Sequence, residues 1–126
     1  MALVNDRPAG WSRVVPRDTL PGILGNRALH RLLDEDHAAW WVTCFMVRPE
    51  HRGRGVAVAL LQEATDYARQ HGASVLDGHP VDIEQLEGKP SPSALFTGTV
   101  NTFRAAGFDE IGRTYPSRPV MRRRFD

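Results

Sequence analysis

From Trp40 to Val47 the chain is an almost unbroken apolar run, rich in aromatic and β-branched residues, and it stops at Arg48-Pro49. Such a run predicts a buried strand, because proline cannot continue a central hydrogen-bonded ladder. From Val56 the period changes: Val56, Ala57, Leu60, Leu61, Ala64, Tyr67 and Ala68 recur at helical spacing, and Gln62, Glu63, Asp66, Arg69 and Gln70 take the other face. An amphipathic helix is predicted there, ending at His71-Gly72, where glycine can adopt the left-handed conformation of a C-cap. The loop Arg52-Gly53-Arg54-Gly55 therefore sits where a helix begins.

Before this unit, Ala2 to Val4 and Trp11 to Val15 read as two strands around the polar turn Asn5-Asp6-Arg7-Pro8-Ala9-Gly10. Pro16 to Asp36 breaks at Pro21-Gly22, then places Ala28, Leu29, Leu32 and Leu33 at the spacing of a short helix, which predicts a helical connection packed on the sheet. After the unit, Ser74 to His79 reads as a strand parallel to Trp40–Val47 through a right-handed crossover. Pro80 to Ser93 is a long loop carrying Asp82, Glu84 and Glu87, which is either a solvated surface or the lining of a site for a cationic amine. Thr97 to Ala106 predicts a second helix with Phe96, Val100, Phe103 and Ala106 turned inward and Gly107 as its cap; Gly98 moves the expected start toward Thr99. Phe108–Thr114 and Pro119–Phe125 then close as a hairpin, with Arg122-Arg123-Arg124 expected on a solvated edge, one arginine turned aside.

Composition narrows the classes. The 126 residues are enough for one domain, 1–126, with a real core. A net charge of +1 argues against nucleic acid as the partner, and no apolar run is long enough to cross a bilayer. Cys44 is the only cysteine; it alternates with Val42 and Met46 and reads as a small buried hydrophobe. No intrachain disulfide can form, so a cytoplasmic location is expected. His30, His37, Cys44, His51 and His79 lack metal-ligand spacing, and no metal is expected.

The chemistry concentrates at the loop before the long helix. The first amides of a helix lack internal partners and face the positive end of its dipole, which attracts anions by roughly 0.3–1 kcal/mol at exposed sites. Gly53 and Gly55 allow a concave nest of N–H donors, and Arg52 and Arg54 add charge at its rim. These are the properties of a pyrophosphate cradle. A dinucleotide fingerprint competes, since Gly53-x-Gly55-x-x-Val58 nearly fits Gly-x-Gly-x-x-Gly with Asp77 downstream. Two features count against it: Arg48 to Arg52 separate strand from turn, and the third glycine is Val58.

Val47 to Ala57, followed by an Ala-Leu-Leu helix, resembles instead the acetyl-CoA-binding motif of the GNAT superfamily of N-acetyltransferases, read here as Arg52-x-x-Gly55-x-Ala57. The resemblance implies an α/β (α+β) fold: a mixed, largely antiparallel twisted sheet around a central βαβ acetyl-CoA unit. It also implies that the family's first strand and helices are missing, either through a truncated gene model or because a homodimer completes the fold. The cosubstrate would be acetyl-CoA, its pyrophosphate held by Arg52, Gly53, Arg54, Gly55, Val56, Ala57 and Val58, and its pantetheine arm paired with the backbone of Phe45, Met46 and Val47. Arg104 to Phe108 resembles the family's Gly-Phe after the CoA-contacting helix, but Phe103 stands where the family's acid tyrosine does and Phe96 where its asparagine does. For the amine's proton, Asp77 and His79 alternate onto one face of their strand, and Tyr115 is a candidate acid. The expected activity is acetyl transfer to a primary amine by direct attack; the alternative is a CoA-binding regulatory module with little or no transferase activity.

Overall fold

The computed structural model describes residues 2–4, 7–33, 36–47, 55–85 and 98–125. Their strands are β1 (Ala2–Val4), β2 (Arg7–Pro16), β3 (Trp40–Val47), β4 (Val75–Gly78), β5 (Asp109–Tyr115) and β6 (Arg118–Arg124). They form one six-stranded sheet in the order β1-β2-β3-β4-β6-β5. Every neighbouring pair is antiparallel except β3 with β4. This is the mixed, largely antiparallel sheet with a central parallel βαβ unit expected from the sequence.

Two helices cover one face. Helix α3 (Val56–Gln70) buries Val56, Leu60, Leu61, Ala64 and Ala68, the predicted stripe, against Val42, Leu76 and Met121. Tyr67 leaves that stripe: it is 48% exposed and stacks on His71 at 4.1 Å. Helix α4 (Val100–Ala105) begins after Thr99, whose side chain accepts from the Thr102 N–H, and adds Val100 and Phe103 to the same core. Its start therefore falls where Gly98 was expected to move it.

The opposite face is covered by the connection between β2 and β3. Helices α1 (Pro21–Leu24) and α2 (Arg27–Leu32) bring Leu29 onto Trp41 and Val120, with Leu20, Ile23, Leu32, Leu33 and Ile111 around them. Asn26 caps α2 by accepting from the Leu29 N–H at 3.0 Å, which orients this short helix onto the sheet. The connection thus packs on the sheet as the spacing of Ala28, Leu29, Leu32 and Leu33 predicts.

Three other expectations shift. β2 starts at Arg7, so Pro8 to Gly10 belong to the strand instead of the turn. β4 ends at Gly78, leaving His79 just beyond it. β6 lies between β4 and β5 and is no edge strand; of its basic triplet Arg122 is buried, Arg123 is half-buried and Arg124 is exposed.

Candidate functional site

The site is set by a strand pair that stays together only briefly. β3 pairs with β4 at Trp40↔Leu76, Trp41↔Asp77 and Val42↔Gly78, while β2 continues alongside β3 as far as Gly10↔Val47. From Thr43 to Val47 the β4 side of β3 carries no strand among the described residues. Among the described residues, no strand pairs with the backbone N–H and C=O groups on that side, as at a sheet edge. Beyond Gly78 the chain leaves through His79-Pro80 and Val81 bridges to Thr99, so the two parallel strands diverge.

Helix α3 is the next described element after β3. Its N-cap, Gly55, has φ 74° and ψ 11°, a left-handed conformation that glycine adopts without strain. Among the described residues, no side chain caps the helix and no acidic residue lies in its first turn, so its leading amides suit an anion. Val56 is buried in the core and Ala57 and Val58 are half-buried. Arg52, Gly53 and Arg54 lie outside the described residues, as do Phe96, Glu87 and the side chains of Cys44, Phe45, Met46 and Val47.

Phe103 closes the inner end of the gap. It is fully buried, and a Cβ added to Gly78 would stand 2.3 Å from its Cε2. Its ring meets Phe108 edge-on at 5.1 Å. The residue expected to touch the cosubstrate is thus enclosed by protein, with no hydroxyl and no open face.

Asp77 and His79 share the other face, where Trp41 lies. Asp77 is completely buried: Arg122 donates from Nε to its Oδ1 at 2.8 Å and from Nη2 to its Oδ2 at 2.9 Å. Arg17, itself buried, adds its Nη1 at 3.8 Å and donates from Nη2 to the Asp36 carbonyl. Asp36 in turn accepts from the Ser74 hydroxyl, and that bond foremost holds its carboxyl below the usual value of 3.8. Asp77, expected as a possible proton acceptor, is instead a structural anion, since both oxygens are engaged inside the sheet.

His79 is half-buried, its ring edge-on to Trp41 at 6.4 Å and its Nε2 2.9 Å from Thr114 Oγ1. Burial first, and the Arg118 cation second, push its pKa below the ordinary 6.5, which favours the neutral imidazole at pH 7. Arg118 also donates from Nη1 to the His79 carbonyl at 3.2 Å. Thr114 and Arg118 were not singled out from the sequence; only the β4–β6 and β5–β6 registers bring them beside His79. Tyr115 ends β5 and is 67% exposed. Asp82 is held by Arg113 at 2.9 Å, which Glu110 also grips at 2.7 Å, so Asp82 anchors the start of its loop to the hairpin. Among the described residues, no cluster of three His, Cys, Asp or Glu is placed to hold a metal, and no helix is long and apolar enough to cross a membrane.

A sequence profile described as the acetyltransferase (GNAT) family matches residues 1–81. No curated protein matches the chain. Among solved structures, it is similar to a GCN5-related N-acetyltransferase from Kribbella flavida at 23% identity and a TM-score of 0.59, over 93% of this chain and 60% of that one. A ribosomal-protein-alanine N-acetyltransferase from Brucella melitensis aligns at 16% identity and a TM-score of 0.59, over 98% and 66% of the two chains. An aminoglycoside acetyltransferase solved with coenzyme A aligns at 16% identity and a TM-score of 0.61, over 97% and 62%. The chain thus spans between 60% and 66% of the length of these structures, and the likeness is one of fold.

Proposed function

The chain belongs to the acetyltransferase (GNAT) family, and from that premise we propose that it moves an acetyl group from acetyl-CoA to a primary amine, on a small molecule or a protein, by direct attack. The observation that carries this reading is the divergence of β3 from β4 after Val42↔Gly78, together with the left-handed Gly55 at the start of α3. The pantetheine arm pairs with the backbone of Phe45 to Val47. The pyrophosphate lies over the leading amides of α3 with Arg52 to Arg54. His79, at the mouth of the gap, takes the amine's proton.

The amine lone pair attacks the thioester carbonyl carbon, a C–N bond forms, the C–S bond breaks, and CoA departs as a thiolate. Phe103 offers that thiolate no proton. A thiol of ordinary pKa, about 8.5, is a competent leaving group at neutral pH, so water, or the exposed Tyr115, suffices as the donor. The structurally similar ribosomal-protein-alanine N-acetyltransferase and aminoglycoside acetyltransferase act on these two classes of acceptor.

One observation favours a second reading, a CoA-binding module with little or no transferase activity: the enclosed, hydroxyl-free Phe103. Calorimetric titration with acetyl-CoA, followed by a thiol-release assay over a panel of amines, separates them. No affinity removes both readings. Binding without thiol release for any amine selects the module. Gly55→Asn sharpens the binding test, because asparagine tolerates a left-handed backbone while its side chain enters space where a Cβ meets nothing described within 4 Å. Acetyl-CoA affinity should fall at least about tenfold, 1.4 kcal/mol, with melting temperature little changed. A homodimer would pair through a terminal strand of the sheet, β1 or β5, and a monomer by light scattering at high concentration removes it.

A further inference from the structure

Resting on the reading of His79 as the proton acceptor, we infer that Thr114 is a positioning residue that pins the His79 proton on Nε2 and leaves Nδ1 as the basic nitrogen of the site. The argument is one of donors and acceptors. Thr114 Oγ1 lies 2.9 Å from His79 Nε2 and 3.3 Å from the Arg118 carbonyl oxygen. A hydroxyl has one proton to donate and a carbonyl can only accept. The Thr114 proton therefore goes to Arg118, its lone pair faces the ring, and Nε2 must carry hydrogen to complete the bond. In a neutral imidazole that leaves the lone pair on Nδ1.

Among the described residues, the side-chain hydrogen bond to the ring is made at Nε2. The groups around the ring keep Nδ1 available. From β6 come the Arg118 guanidinium, which disfavours a second positive charge, and the Arg118 carbonyl, which partly offsets it. From β5 comes Thr114, and from β3 the apolar edge of Trp41. Asp77, the carboxylate nearest along β4, is engaged by Arg122 and does not hold a proton on the ring.

During transfer Nδ1 accepts the amine proton as the C–N bond forms, and the departing thiolate takes a proton from water. The imidazolium, beside the Arg118 cation, then releases its proton to water, so the ring returns to its starting tautomer. Thr114 never touches a reacting atom and acts through His79 alone.

The test is the ring tautomer in the intact chain, read by long-range proton–nitrogen NMR at neutral pH for the wild type, Thr114→Val and Thr114→Ser. Wild type and Thr114→Ser should show His79 protonated on Nε2; Thr114→Val should show a mixture with Nδ1–H. kcat should fall about tenfold in Thr114→Val, less than the 10²–10⁴ of losing the base outright, with KM for acetyl-CoA unchanged and Thr114→Ser restoring the rate. An unaltered tautomer in Thr114→Val overturns the positioning role whatever the activity. A shifted tautomer with kcat unchanged in both Thr114→Val and His79→Gln instead removes the reading of His79 as acceptor. Should Thr114→Val not fold, the wild-type spectrum decides, since a proton on Nδ1 contradicts the assignment.

Discussion

Asp77 and His79 stand two residues apart at the end of one strand, on the same face, yet their surroundings are opposite in kind. Asp77 is sealed in, with both carboxylate oxygens gripped by Arg122 and Arg17 close by. His79 is half-buried, with its Nε2 hydrogen-bonded to Thr114. The difference follows from what each group costs when buried. A buried carboxylate survives only when its charge is compensated, and compensation occupies the atoms that would do chemistry. A neutral imidazole needs a single partner to satisfy its N–H, which leaves a lone pair free. Sharing a face is therefore no guide to sharing a role.

Removing the carboxylate charge is the strongest way to break this contrast. Asp77→Asn strands Arg122 and Arg17 in a buried setting and should lower the unfolding free energy by about 3–5 kcal/mol, read by urea denaturation. His79→Gln should cost less than about 1.5 kcal/mol, the net worth of a typical hydrogen bond, while slowing acetyl transfer by roughly 10²–10⁴-fold. Were Asp77→Asn as stable as wild type but slow, with His79→Gln the reverse, the two roles assigned here would have to be exchanged.

Gly78, between them, points the other way and tests whether the point of strand divergence is packed tightly. Its missing side chain is where the Phe103 ring lies, 2.3 Å from an added Cβ. Gly78→Ala should therefore destabilise by about 1–3 kcal/mol through overpacking. Combining it with Phe103→Leu should recover part of that loss, a coupling that a double-mutant thermal-denaturation cycle measures directly. Independent, additive effects would mean that Phe103 is free to move away, and with it the enclosed end of the gap.

Much of the frame is readable from the residues because it is local. The β3–α3 unit follows from an apolar run, a proline stop and a helical stripe, and the glycines ending helices do so with φ of 83° at Gly72 and 89° at Gly107. Face sharing by Asp77 and His79 follows from alternation alone. What alternation cannot supply is the partner across the sheet. Arg122 meets Asp77 through a register set 45 residues away. In sequence it sits in a basic triplet that reads as a solvated edge. Thr114 is likewise ordinary until the hairpin places it against His79. The connection from β2 to β3 has the spacing of a short helix that packs on the sheet, but only the structure shows that Leu29 lodges against Trp41 and Val120.

The smallest expected effect is also the one that separates the two regions by pH. His79 has its pKa pushed below 6.5 in the folded chain, by burial and by Arg118, and regains 6.5 when unfolded. Between those two values the unfolded chain binds more protons than the folded one, so the unfolding free energy rises with pH there and is level above. Its contribution is complete above pH 6.5 and is lost as pH falls, with a slope no steeper than about 1.4 kcal/mol per pH unit. Asp36, in the ion cluster with Arg17, has its pKa held below 3.8 chiefly by Ser74; its stabilisation is present above that value and lost only as pH falls through its folded pKa. Denaturation curves taken stepwise from pH 7.5 to 3 should therefore show two separate losses. His79→Gln should remove the one nearer neutrality and leave the more acidic one. Arg118→Gln should act in between, because without the guanidinium the His79 pKa rises toward 6.5 and the first window narrows. If Arg118→Gln left that window unchanged, burial alone would account for the neutral imidazole, and the cation beside it would have no part in driving the captured proton off the ring.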